Sequence, residues 1–522
     1  MEQKEYNVIL NKGVDYDAFW YEMETVGNGT TSYVPTRAVD IVNARPVSLR
    51  QCHYALTDDE ARQLRDDPRV VAVEIPPDNR TDLDNRHCAR QYGNFSNGGY
   101  NVLNWALYRC QYPNNSNGMP GYGQEVYYNY ILDGTGVDIV IMDTGIQADH
   151  PDFNDSNGVS RVQQINWFAA SGVSGTMPAN FYTDLDGHGT HCAGIAAGLS
   201  YGWAKNARIY AMHIPLGGDP GTGNSIQIVQ AMDCITGWHL NKPVDPVTGF
   251  KRPTIVNTSW GNFTTFTNFD GVRYRGNDYG GSVNPAQGMV GLSNTFGDQV
   301  SSYDANLGEM IDAGIIVTHA AGNNNNTLDV PGGPDWDNNI YEETFFDLIK
   351  FNRRYYQRGP SPLDSRQITV GAMDINYSLV SATDKAYFSN SGPGVDVWAP
   401  GYSIMSTMST SNTLGGNIPY PPNPAFKIGY LNGTSMAAPQ VAGLAACLAQ
   451  VWPGATPEQL KAKLIELAAT DQMQATTQTD YTSPYKIHAG PNRVMYPGAT
   501  FSTSVNAGIS GDVGITNITM RT

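Results

Sequence analysis

Short apolar runs that stop at turn residues, alternating with helix-patterned stretches, leave this chain few folds to adopt. The runs at 138–142, 207–213, 254–257, 315–319 and 367–370 read as strands, and 188–198, 225–240, 435–451 and 457–468 read as helices. The last helix carries the fullest start signal: Thr456 as N-cap, Pro457 at the first helical position and Gln459 completing a capping box. Strands alternating with helices predict an α/β domain built on a doubly wound, mainly parallel sheet flanked by helices.

Four places in this pattern carry residues suited to acyl-transfer chemistry. In L-N-G-T-S-M-A-A-P-Q-V-A, 431–442, a turn at Gly433 leads into a small-residue helix at Ser435. The first N–H groups of a helix lack partners within it and favour negative charge beside the serine hydroxyl. A serine in that position is most often an N-cap. To act as a nucleophile it needs a base, and the base needs a third group to orient it. Asp143 ends the strand run in V-D-I-V-I-M-D-T-G-I and is followed by Gly145. His188 stands in D-G-H-G-T-H-C-A-G-I-A-A-G, with glycines on both sides. Asn323 follows the apolar run I-I-V-T-H-A-A-G-N, where its carboxamide and the backbone N–H of Ser435 supply two donors for an oxyanion. Taken alone, each residue has a plainer reading: a core histidine, or an asparagine in a turn.

Together, and in the order Asp, His, Asn, Ser, these stretches resemble the subtilisin-like serine proteases over about 105–496 of the chain; that order is the established one for subtilisin. The resemblance implies that Asp143 orients His188, that His188 is general base and then acid, that Ser435 attacks, and that Asn323 stabilises the oxyanion. An α/β-hydrolase is excluded, because its elbow is G-x-S-x-G and its acid and histidine follow the serine. By the same resemblance Gly221, Thr222 and Gly223 form one edge of a peptide-binding groove and Ser259, Trp260 and Gly261 the other, gripping an extended protein or peptide substrate by strand addition. The family commonly has Leu where Trp260 stands, so the indole either narrows the specificity pocket or fills core. Gln440, where the family often has histidine, is expected to stay away from the chemistry. Cys192 and S-Y-G-W-A-K-N-A-R-I-Y resemble the proteinase K branch, which implies a buried thiol near His188 and sensitivity to mercurials. Asp152 in H-P-D-F matches a family calcium ligand, but the loop completing that site in subtilisin is missing between Gly198 and Ala204. The metal ligands therefore stay unassigned: the chemistry requires no cofactor, and a structural calcium is left open.

Residues 1–78 read as a small βαββαβ unit, ferredoxin-like in order. Its strands are near 5–10, 37–42, 46–56 and 69–75, and its helices lie near 15–25 and from Thr57, where T-D-D-E forms a capping box with Glu60. The second half resembles the inhibitory propeptide of the same family, which makes the chain's own N-terminal segment a partner of its catalytic domain. The polar stretch 79–104 is the expected processing linker, 105–498 the catalytic domain and 499–522 a short extension. The insertions at 262–303 and 324–358 exceed what a minimal member needs.

A formal net charge of −17 over 522 residues argues against nucleic acid and anionic membranes as partners, and no apolar run approaches a membrane span. The N-terminus M-E-Q-K-E-Y-N-V-I-L lacks the features of a secretory signal, and the compartment is left open. Six cysteines show neither zinc spacing nor a disulfide framework; a Cys88–Cys110 bridge would tether the N-terminal segment after cleavage. The second reading is a catalytically silent binding protein on this scaffold. Retention of Asp143, His188, Asn323 and Ser435 argues against it.

Overall fold

The computed structural model describes residues 3–11, 13–25, 33–44, 51–74, 87–90, 95–97, 100–102, 105–111, 127–216, 224–265, 271–280, 295–343, 351–376, 382–415, 417–473 and 486–497. They fall into two compact units, Met1–His87 and Cys88–Thr522.

The first unit has the expected order: β1 (Lys4–Leu10), α1 (Tyr16–Glu24), β2 (Ile41–Ala44), β3 (Gln51–Leu56), α2 (Asp58–Arg65) and β4 (Val70–Glu74). Its sheet runs β2-β3-β1-β4 and is antiparallel at every pairing. Alternate residues Val8 and Leu10 on β1 and Cys52, Tyr54 and Leu56 on β3 are buried, as a sheet covered on one face requires. The capping box forms as read: Thr57 Oγ1 accepts the Glu60 N–H and Glu60 Oε2 accepts the Thr57 N–H at 2.9 Å. The strand expected from 37 begins later, at Ile41, and the 46–50 part of the next expected strand lies outside the described residues.

The second unit is built on a ten-stranded sheet. Its strands are β5 (Asp138–Asp143), β6 (Val162–Gln163), β7 (Arg208–His213), β8 (Thr254–Thr258), β9 (Ile316–Ala320), β10 (Ile368–Asn376), β11 (Ala382–Lys385), β12 (Val397–Pro400), β13 (Ala469–Thr470) and β14 (Arg493–Val494). The order is β6-β7-β5-β8-β9-β10-β12-β14-β13, with β11 pairing β10. Pairings from β6 to β14 are parallel, while β13 and β11 join antiparallel.

Every residue of β5, β8 and β9 is buried, so both faces of the sheet are covered. Ile139 and Ile141 of β5 join the cluster containing Cys192, Ala193, Ala437 and Val441, from helices α4 (His188–Ala197) and α7 (Thr434–Val451). Val140 and Met142 join the opposite cluster with Met232 and Ile235 of α5 (Ile228–Asn241) and Leu307 and Met310 of α6 (Ser301–Asp312). α8 (Pro457–Leu467) starts with the predicted Thr456/Gln459 box, and α3 (Trp105–Gln111) is pinned by Trp105 Nε1–H to the Tyr402 carbonyl at 2.9 Å. The small residues of α4 and α7 let the two helices touch: a Cβ on Gly443 would lie 2.5 Å from the Ala196 carbonyl oxygen.

Chain order reverses at β5, with β7 on one side and β8 on the other. In open α/β sheets such a switch point opens a crevice at the C-terminal ends of the strands. Asp143 is the last residue of β5, Ser259 follows β8, and Asn323 follows β9.

The two insertions are not separate loops. Gly271–Tyr274 and Asn277–Gly280 from the first pair with Asn339–Glu343 and Phe351–Tyr355 from the second in one antiparallel four-stranded sheet. Val272, Tyr274, Phe296, Ile340 and Tyr356 form its apolar cluster. α6 opens at Ser301, so the first insertion ends sooner than the sequence suggested. The expected processing linker carries strands, among them a hairpin of Phe95–Asn97 with Tyr100–Val102. Its signal was the Gly98-Gly99 pair between them. Residues 499–522 lie outside the described residues.

Candidate active site

Asp143 is wholly buried at the tip of β5, and its Oδ1 accepts the Thr144 N–H and faces His188 Nδ1, each at 2.8 Å. His188 opens α4 with its ring 21 % exposed. The two are held in register by Asp184, a buried carboxylate that the sequence reading overlooked. It accepts from Thr144 Oγ1 at 3.0 Å, from the Gly187 N–H at 2.8 Å and from the Thr190 N–H at 2.9 Å, tying the end of β5 to the start of α4. Burial pushes the Asp184 pKa up to about 6 against those hydrogen bonds.

Burial opposes charge on His188, but the Asp143 carboxylate and the Cys192 sulfur beside it together outweigh that, and its pKa stands well above the ordinary 6.5. A base works only when neutral, and a raised pKa keeps it protonated to higher pH. The acid limb of a kcat/KM profile on a peptide substrate is therefore expected above pH 6.5; a limb below it would mean that His188 is not the titrating base.

Ser435 is the second residue of α7, behind Gly433 at φ 153°, ψ 160°, a region open essentially to glycine alone. The Gly433 N–H is fixed on the Gly401 carbonyl at 2.8 Å. Gly433→Ala is thus expected to cost about 1–3 kcal/mol of stability from backbone strain, read as a lower denaturation midpoint. Pro439 lies inside the same helix and has no N–H to give to the Ser435 carbonyl four residues earlier. That carbonyl instead accepts Ser259 Oγ at 2.8 Å and Cys192 Sγ at 3.4 Å. The Ser435 hydroxyl donates to the Ser259 carbonyl at 2.8 Å rather than to His188.

Asn323 Oδ1 accepts both the N–H and the hydroxyl of Thr434 at 2.8 Å. With its oxygen engaged, the carboxamide turns its nitrogen to the space beside Gly433. A Cβ there would lie 3.4 Å from Asn323 Nδ2 and 3.5 Å from the Ser435 nitrogen. Two donors thus border one small space next to the Ser435 side chain, the arrangement an oxyanion requires. Thr434 was legible in G-T-S-M-A, but its hold on Asn323 was not.

The model of the subtilase family matches residues 134–484, which contain all four of these side chains. The chain belongs to the subtilase family of serine proteases. It is 26% identical over 422 residues to the extracellular serine proteinase of Thermus sp. (strain Rt41A), covering 81% of this chain and 71% of that protein. It is 25% identical over 481 residues to subtilisin-like protease 3 of Saccharomyces cerevisiae, covering 89% and 75%. The match to the subtilisin-like serine protease pepC of Aspergillus niger is 28% identical over 371 residues, 68% of this chain but only 50% of that protein. Serine-type endopeptidase activity goes with the family.

Among the remaining subtilase positions, Ser259 touches Ser435, and a Cβ on Gly261 would meet Pro360 at 2.6 Å. Trp260 is a core residue: it is 9 % exposed, packed in the cluster with Val256 and Met142, and its Nε1–H bonds the Met142 carbonyl at 2.8 Å. Gly221, Thr222 and Gly223 lie outside the described residues. Gln440 is buried away from the chemistry, accepting Trp203 Nε1–H at 2.6 Å. Cys192 Sγ is buried 3.9 Å from His188 Nδ1, and Asp143, His188 and Cys192 present polar atoms within 4.8 Å of one another. Cys110 is a free, buried thiol, its pKa pushed by burial up to about 12, and the Cys88 side chain lies outside what the structure describes. Asp152 Oδ1 accepts the Ser200 N–H at 3.0 Å and Tyr420 OH at 3.1 Å. Buried Lys205 and Arg161 stand in its field, while its Oδ2 is buried with no hydrogen-bond partner among the described residues.

Proposed function

We propose that this subtilase is a serine endopeptidase working through an Asp143–His188–Ser435 triad and an acyl-enzyme, and that it is made as a self-processing zymogen. The observation that carries the reading is the convergence, at the C-terminal edge of one sheet, of the Asp143–His188 pair at 2.8 Å with the start of α7 and the Asn323 amide. His188 Nε2 takes the Ser435 proton as Oγ attacks the scissile carbonyl. Asp143 holds the ring and stabilises the imidazolium, and the oxyanion meets Asn323 Nδ2 and the Ser435 N–H. His188 then protonates the leaving amine, and water releases the acyl group by the same steps in reverse roles. Ser259–Gly261 and Gly221–Gly223 are the edges for an extended peptide. No step needs a cofactor.

The Ser435–Ser259 hydrogen bond is the one feature favouring a silent scaffold. A hydroxyl turns between acceptors at little cost, and catalytic hydrogen bonds are often made only in the substrate complex. The zymogen reading assigns 1–78 as inhibitory propeptide, 79–104 as processing linker, 105–498 as catalytic domain and 499–522 as extension. It is supported by the separate N-terminal unit ending near the linker. Intact mass of freshly purified chain, with and without a fluorophosphonate probe, tests both parts. An adduct on a chain shortened by about 80 to 100 residues is expected. A full-length chain that takes no probe even after a trace of active protease overturns the reading.

A further inference from the structure

Asn323 opens a run of four asparagines, 323–326, a sequence with little intrinsic preference for one extended or helical path. Asn325 is itself left-handed, at φ 53°. What fixes this run is the turn at 386–391. The Asn390 N–H donates to the Gly322 carbonyl at 2.9 Å and its Nδ2 to the Ala321 carbonyl at 2.8 Å. Its Oδ1 accepts the N–H groups of Asn324 at 3.2 Å and Asn326 at 2.8 Å. One side chain thus brackets the backbone on both sides of Asn323, and the Asn325 N–H adds a bond to the Phe388 carbonyl at 2.7 Å.

That turn is in turn held by Lys385, the last residue of β11. Its ammonium is buried, and its three donors go to the Ser389 carbonyl at 2.6 Å, the Ala386 carbonyl at 3.2 Å and Asn325 Oδ1 at 2.9 Å. It forms no ion pair with a carboxylate among the described residues, and burial alone lowers its pKa to about 7. An ammonium taken out of water without a counter-ion is costly. Its three acceptors all belong to the oxyanion-donor run or to the turn that clasps it, so the cost is borne where Asn323 is aimed.

We propose that Lys385 is a positioning residue for the oxyanion donor: through Asn325 and the 386–390 turn it fixes the loop that aims the Asn323 carboxamide. The proposal rests on the reading of Asn323 as that donor. No motif marks Lys385 in the sequence, since it lies 62 residues beyond Asn323.

The test is a double-mutant cycle on the full chain, assayed with a peptide p-nitroanilide. Lys385→Met is expected to lower kcat about tenfold to a hundredfold, as small misplacements of a catalytic group do, with KM little changed. Asn325→Ala, which cuts one arm and leaves the turn bonded, is expected to lower kcat less. In an Asn323→Ala background neither change lowers kcat further, because the group being aimed is gone. A merely structural role would lower activity equally in both backgrounds. Should Lys385→Met fail to fold, Asn325→Ala alone and combined with Asn323→Ala carries the cycle. Unchanged kcat in the folded variants, or a full loss repeated in the Asn323→Ala background, overturns the proposal. Wild-type kcat in Asn323→Ala overturns the oxyanion reading and the proposal together, and a slow Asn323→Ala beside fast Lys385 and Asn325 variants overturns the proposal alone.

Discussion

Ser435→Ala is expected to lower kcat about a million-fold and to leave the N-terminal unit joined to the catalytic unit. In the proposed mechanism the rate falls so far because the hydroxyl is the atom that forms the acyl-enzyme, and without it Asp143 and His188 have nothing to activate. What remains is the oxyanion donors and substrate binding, which together retain only a modest acceleration over water. The fold should be untouched: the lost hydroxyl makes one hydrogen bond, to the Ser259 carbonyl, while the Ser435 carbonyl keeps its bond from Ser259 Oγ. Intact mass beside steady-state kinetics makes the comparison. A Ser435→Ala chain that still shortens in dilute, pure solution would rule out self-processing, and one that keeps its rate would rule out the nucleophile.

Asn323→Ala is expected to slow kcat about a hundred- to a thousand-fold, with little loss of stability. In the proposed mechanism one of two donors at the developing charge disappears, and the backbone N–H of Ser435 remains. Stability changes little because the loop is fixed through Asn390 and Lys385 rather than through the Asn323 side chain. The removed carboxamide leaves the Thr434 N–H and hydroxyl without their shared acceptor, a local cost at a partly buried site. An unchanged rate would assign the second donor to another group, and a collapse of the denaturation midpoint would make Asn323 a structural residue first.

The four active-site stretches were legible because each answers a local demand. A strand must stop where Asp143 stands, a helix must begin at His188 and at α7, and only glycine tolerates the backbone at 433. The order of the first unit, and the central strands and four of the helices of the second, followed from the same kind of signal. What escaped was non-local. Asp184 and Thr434 read as an ordinary acid and an ordinary hydroxyl until the fold brings β5 to α4 and α7 to Asn323. Trp260 could not be placed from sequence, since its position is decided by the Met142 carbonyl 118 residues away. β12, V-W-A-P, is four residues long and ends in proline, too short for a periodicity to show. Pro439 shows a local rule broken to an end: its missing N–H weakens a helix and frees the nucleophile's carbonyl for two side chains.

The four-stranded sheet shared by the two insertions makes them a single module encoded in two pieces, with α6 and β9 of the core threaded between them. Excising Asn339–Glu343 and Phe351–Tyr355 would strip the 271–280 hairpin of its neighbour and uncover Val272, Tyr274 and Phe296, so half the module is worse than none. A redesign of this enzyme towards a minimal scaffold must therefore remove both pieces in one step, and transplanting the module elsewhere needs two acceptor loops at matched spacing.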